Sequence, residues 1–196
     1  PLTQNRIADA QARADALASL YPAPVISSLS YQLLRLRVIF SHYPNPKEAL
    51  SFINRQQLSP QAEIYLKALI AQANQEPKQG VELITQLVKE KPNQLMLKFL
   101  LAEAYIKAGL TNQAEAELEQ LLKLAPSYYP ASYLLANFYA KQGKWLEARN
   151  LFKQLSLSRP NDPDIWFNLA ETAGKAGQPL QLHLARAEYF QLTARF

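Results

Sequence analysis

The chain has 196 residues, 48% of them hydrophobic, a net charge of +5 and no cysteine. That apolar content supports a substantial core, so disorder is not the default; the lack of cysteine excludes a disulfide frame, a Cys nucleophile and Cys-ligated zinc. No block of five like charges forms the basic face that nucleic acid requires, and no apolar run reaches the ~18–20 residues of a membrane-spanning helix.

Thirteen prolines against five glycines fit a helical chain whose prolines mark helix ends, since proline lacks the donor a continuing helix needs. Thr3 is the expected N-cap of a first helix through Leu20, with Ile7, Ala10, Ala14, Leu17 and Leu20 on one side. Tyr21-Pro22-Ala23-Pro24 stops it and forms a short stiff joint. Ser27 or Ser28 caps a second helix through Phe40, and a third helix after Pro46 is expected to end near Pro60.

From Gln61 the register is close to strict. Ala68, Ala102, Ala136 and Ala170 are each 34 residues apart, and Gln75, Gly109, Gly143 and Gly177 follow at the turn. The second helix of each unit carries Gly80, Ala114 and Ala148, then Ile84, Leu118 and Phe152, then Leu87, Leu121 and Leu155. Small residues let antiparallel helices approach, large ones fill the groove between them, and glycine supplies the left-handed conformation that ends the first helix. A fixed period in this range signals stacked helix pairs.

This pattern resembles the tetratricopeptide repeat, well over 61–177 and loosely over 27–60. The resemblance implies an all-α, right-handed superhelical solenoid of antiparallel helix pairs. After Gly177 the register breaks, and Pro179–Phe196 reads as the first helix of a further, incomplete repeat, with the natural protein expected to continue beyond Phe196.

Chemistry-bearing clusters are sparse. His42 and His183 stand 141 residues apart without a second ligand at metal spacing, and no His-Glu-x-x-His occurs. Glu115 and Glu119 share one helix face, the usual mark of a solvated surface. No catalytic, metal or cofactor-binding residue is assigned. One set stands out. The fifth position of each repeat holds Tyr31, Tyr65, Phe99, Tyr133 and Phe167, all 34 apart, and Leu69, Glu103, Asn137 and Glu171 follow one turn on. Lys107, Lys141 and Lys175 come four residues later.

Because first helices line the concave side in repeats of this kind, these positions make a ladder along a groove. Two readings stand open. In one, Tyr31, Tyr65, Phe99, Tyr133 and Phe167 with Glu103, Asn137 and Glu171 bind an extended or helical polypeptide. In the other, the rings pack against the neighbouring second helices. A carboxylate clamp of the chaperone-adaptor type, which needs Lys and Asn at positions five and nine, is not expected where every fifth position is aromatic.

The ends carry a further resemblance. Pro1-Leu2-Thr3-Gln4-Asn5-Arg6-Ile7-Ala8-Asp9-Ala10 is similar to the segment closing the peptidase domain of BepA-like zinc metallopeptidases of the Gram-negative periplasm, and Leu184-Ala185-Arg186-Ala187-Glu188-Tyr189-Phe190 resembles a late helix of their repeat domain. The resemblance implies that residues 1–24 are the remnant of a preceding peptidase domain and 25–196 its repeat array. Zinc would sit in that preceding domain, outside this chain. The expected partners are assembling outer-membrane proteins, the barrel-assembly machinery and the peptidase domain itself. The alternative is a stand-alone tetratricopeptide scaffold for a multiprotein complex, with no linked enzyme.

Overall fold

The computed structural model describes Asp9, Ala12, Arg13, Ala16 and residues 28–43, 45–53 and 55–193. The first helix and joint expected over 3–24, and most of the Pro1–Ala10 resemblance, lie outside the described residues. The described chain is helical: α1 (Leu29–His42), α2 (Pro46–Ser51), a 3-10 turn (Arg55–Gln57), α3 (Pro60–Ala73), α4 (Pro77–Glu90), α5 (Leu95–Lys107), α6 (Thr111–Leu124), α7 (Tyr129–Lys141), α8 (Trp145–Ser158), α9 (Pro163–Lys175) and α10 (Pro179–Thr193). Helices α3 with α4, α5 with α6, α7 with α8 and α9 with α10 pack as hairpins, and each hairpin stacks on the next. The result is a solenoid of antiparallel helix pairs.

One backbone device ends every first helix from α3 on. Gln75, Gly109, Gly143 and Gly177 all take the left-handed conformation, with φ of 64°, 71°, 74° and 69°. The next amide in each case reaches back five residues: Glu76 to Ala71, Leu110 to Tyr105, Lys144 to Tyr139 and Gln178 to Ala173, at 2.8–3.0 Å. This is the Schellman closure, which satisfies carbonyls the helix leaves open. Because it reverses the chain in the same way each time, the second helix always returns along the same side of the first. Gln75 is the one non-glycine with positive φ among the described residues.

The repeated residues pack as their sizes require. Ala68, Ala102 and Ala136 are fully buried and Ala170 nearly so, in cores shared with Ala114, Ala148, Ile84, Leu118 and Phe152, all sealed from solvent. One contiguous core runs from α1 to α8 and a second from α7 to α10, both lined by Leu151. Ser28, Ser59 and Asp162 cap α1, α3 and α9 through side-chain oxygens, each satisfying an amide the first turn leaves open.

Two expectations are corrected. Helix α10 is the second helix of the fifth pair, packed on α9 with Ala185 fully buried, and not the first helix of a further repeat. The register looked broken because the small partner changed sides. At Gly80, an added methyl would lie 3.1 Å from Gln72 Cγ; three repeat lengths on, Gly174 stands where Gln72 stood and faces Leu182, which stands where Gly80 stood. The close approach is kept, with its small residue on the opposite helix. The second helix of the first pair is also shorter than expected: α2 stops at Ser51, and the segment after it is drawn back where Gln32 Oε1 accepts from Ser59 N and Oγ, both at 2.9 Å.

Candidate functional site

Helices in contact lie about 8–10 Å apart, so in a flat layer α1 and α5, with α3 between them, would stand about 16–20 Å apart. Yet the Arg37 guanidinium on α1 donates to both carboxylate oxygens of Glu103 on α5, Nη1 to Oε2 and Nη2 to Oε1, the latter at 2.7 Å. Side chains that meet over an intervening helix are brought within reach when the layer curves towards them. The first helices therefore line the inner wall of the array, and the second helices its outer wall.

This ion pair is built from several supports. Arg37 lies 5.5 Å above the Phe99 ring, adding a cation–π contact to the two-pronged hydrogen bond. The Glu103 hydrogen bond outweighs burial and raises the Arg37 pKa. Tyr65 lies beneath on α3, 2% exposed; burial pushes its phenol well above the ordinary tyrosine range, even against the nearby Arg37 charge. One turn further along α5, the Lys107 ammonium donates to Gln72 Oε1 on α3 at 2.7 Å. Partial desolvation lowers its pKa, partly offset by Glu103.

Beside these groups the inner wall opens into a recess. Its inner compartment, about 200 Å³, is walled by Arg37, Tyr65, Glu103 and Lys107 among others. An outer compartment of about 510 Å³ adds Ala73, Gln75 and Pro77. Phe40, Leu69, Gln72 and Lys107 border both. The left-handed Gln75 thus sits on the rim of the recess.

The ladder residues fall into three groups. Tyr65 and Phe99 are buried, Phe99 under the edge of Tyr128 with ring centroids 6.1 Å apart. Tyr133 is half-buried, edge-on to Phe152 of α8 at 5.9 Å and near the amide of Asn168 on α9. Tyr31 and Phe167, at the two ends, are exposed at 60% and 47%. Phe167 lies 5.6 Å from Tyr189 of α10, and with Glu171 and Arg186 it borders a separate recess of about 210 Å³. Asn137 is half-buried and donates to the Tyr133 carbonyl at 2.9 Å. The structure therefore brings Glu103 into a polar cluster with Tyr65 and Phe99 beneath it, and sets Asn137 and Glu171 further along.

Tyr31 stands out of phase with the other rings. The buried face of α1 is Gln32, Leu33 and Leu36, whereas that of α3 includes Tyr65, Leu66 and Leu69. The two match at an offset of 33, so the place of Tyr65 is taken by Gln32, and Tyr31 turns about 100° away. A short α2 with few contacts to α1 removes the need for a small residue at the place of Ala68, which at this offset holds the half-buried Arg35.

Sequence reasoning missed Arg37, Gln72 and Phe40. The available signal was opposite charge at nearly twice the period: Arg37 and Glu103 are 66 residues apart. Among the described residues no group of three or more His, Asp or Glu is placed to hold a metal ion, and no helix is long and apolar enough to cross a membrane.

A tetratricopeptide repeat family model matches residues 71–126 and again 111–172, together more than half of the chain. No curated protein matches the sequence. Among solved structures, MamA of AMB-1 superposes with a TM-score of 0.59 at 15% identity, covering 84% of this chain and 93% of that one. MamA of Desulfovibrio magneticus RS-1 gives 0.61 at 16%, over 69% of this chain and 77% of its own, and MamA of MSR-1 gives 0.58 at 16%, over 82% and 95%. At such identities the likeness is one of fold. With helix pairs of 34 residues, four identical turns and a matching family model over its centre, the chain belongs to the tetratricopeptide repeat family.

Proposed function

We propose that the chain is a stand-alone protein-interaction scaffold that holds an extended or helical polypeptide along its inner wall. The observation that carries this reading is the meeting of α1 and α5 across α3 at Arg37 and Glu103, which makes three first helices one concave surface with an open recess. Glu103, Asn137 and Glu171 supply polar rungs for a partner's main chain, and Tyr133 and Phe167 supply accessible ring surface. Tyr65 and Phe99 form the floor beneath them. Tyr31, exposed and turned out of phase with the other rings, stands apart from this surface. The solved MamA chains, covered to 93% and 95% in two cases, share the fold of this array.

The test compares bait proteins in extracts of the native cell. An inner-wall variant, Asn137→Arg with Glu171→Arg, should lose partners that an outer-wall variant, Gln120→Arg with Gln154→Arg, retains. Identical partner profiles from the two would refute the assignment of the groove.

A second reading rests on the Pro1–Ala10 and Leu184–Phe190 segments. In it the array is the repeat domain of a periplasmic zinc metallopeptidase that recruits outer-membrane proteins or the barrel-assembly machinery, with zinc held by the peptidase domain. Sequencing the gene upstream of Pro1 tests it: a signal peptide and a His-Glu-x-x-His motif support this reading, and a different domain or a start codon defeats it.

A further inference from the structure

The recess between α1, α3 and α5 holds two cations, Arg37 and Lys107, against one carboxylate, Glu103. Arg37 is consumed by that carboxylate through two hydrogen bonds. Lys107 has no carboxylate within ion-pairing distance among the described residues. Its one hydrogen bond goes to a neutral amide oxygen, Gln72 Oε1 at 2.7 Å. An ammonium carries three donors, so two remain for a ligand. Lys107 itself is exposed, and an anion stabilises its charge more than a neutral amide does.

We propose that this recess takes the carboxylate of an acidic side chain on the bound polypeptide, paired with Lys107, while a neighbouring apolar side chain of the same segment fills the outer compartment. The charge count selects the ligand class. One uncompensated positive charge matches a monoanionic carboxylate. A phosphoryl group, at about −1.5 to −2, would overcompensate it and meet the Glu103 carboxylate. The walls select the neighbour: Phe40, Leu69, Ala73 and Pro77 offer an apolar surface in a compartment of about 510 Å³ that shares Lys107 with the polar one. The expected motif is therefore a large apolar residue beside Asp or Glu.

This inference rests on the groove reading above and deepens it. The test begins with a displayed library of random twelve-residue peptides selected on the full chain. The best binder is then synthesised in three forms, with its acidic residue, with the matching amide, and with phosphoserine there. Fluorescence anisotropy measures each against the wild type, Lys107→Ala and Lys141→Ala, with circular dichroism to confirm the fold of the variants. Enrichment of Asp or Glu next to Leu, Met or Phe is expected. Replacing the acid by its amide should weaken binding by about 1.5-fold to fivefold, the range for a solvent-exposed ion pair. That discrimination should vanish in Lys107→Ala and persist in Lys141→Ala.

Binders without acidic residues, discrimination that survives Lys107→Ala, or tighter binding of the phosphoserine form would each overturn the pocket assignment. If those binders still protect α1, α3 and α5 from hydrogen exchange, the groove reading stands alone. If no peptide binds the inner wall, both fall.

Discussion

Replacing Gln75 by glycine should stabilise the array. Gln75 holds φ at 64°, in a turn whose later copies place Gly109, Gly143 and Gly177 at 69–74°. A left-handed conformation costs a residue with a Cβ about 1–2 kcal/mol. Glycine removes that cost but gives the unfolded chain extra freedom, worth about 0.5–1 kcal/mol. The net gain is about 0.5–1 kcal/mol, or about 1–4 °C in Tm for a chain of this size. Gly109→Ala is the reciprocal change and should lose a similar amount. A methyl there meets nothing within 4 Å, so the effect reports backbone conformation alone. Urea unfolding followed by circular dichroism gives the midpoint shifts. Hydrogen exchange of α3 and α4 shows whether the change is local, since a repeat array unfolds in parts. Loss of stability in Gln75→Gly with helicity intact, or no effect of Gly109→Ala, would refute the shared-turn account.

Three further outcomes follow from the packing. Phe152→Ala removes a fully buried ring that Tyr133 meets edge-on and should cost about 3–5 kcal/mol, read as early loss of exchange protection in α7–α10. Gly174→Ala should stabilise by about 0.5–1 kcal/mol through helix propensity, because its methyl would rest at ordinary contact, 3.6 Å from Leu182; thermal unfolding decides the sign. Alkaline stability follows from Tyr65. Its folded pKa is raised by burial above the unfolded value near 10, so the stabilisation is complete below pH 10 and is lost as pH rises beyond it, by about 1.4 kcal/mol per unit at most. Tyr65→Phe should make the alkaline limb of the stability profile shallower without abolishing it, because burial raises the Tyr139 phenol as well; an unchanged limb would show that Tyr65 contributes nothing to it.

What was legible in the sequence was whatever repeats. A close helix crossing needs a small residue and a Schellman turn needs positive φ, so Ala68, Ala102, Ala136 and the turn glycines announced both themselves and their period. The fifth pair was misread because Gly174 and Leu182 meet the same steric need with sizes exchanged, which a column-by-column comparison registers as loss of pattern. The rotation of α1 was hidden for a related reason. With α2 so short, α1 needs no small residue where Ala68 stands in α3, and a one-residue shift of phase leaves every residue type plausible. The Arg37–Glu103 pair depends on curvature, which arises from the stacking of whole repeats and is encoded at no single position. Hence the ladder of rings was visible while the polar cluster lying over two of them was not.

The central claim is that partners lie along the inner wall. Site-specific photo-crosslinking tests it most directly, with benzoylphenylalanine introduced singly at inner positions Ser41, Ala73 and Lys141 and at outer positions Gln120, Lys153 and Gln154, in the native cell. The account expects adducts of defined mass from the inner set and none from the outer. Adducts from the outer set alone would contradict it.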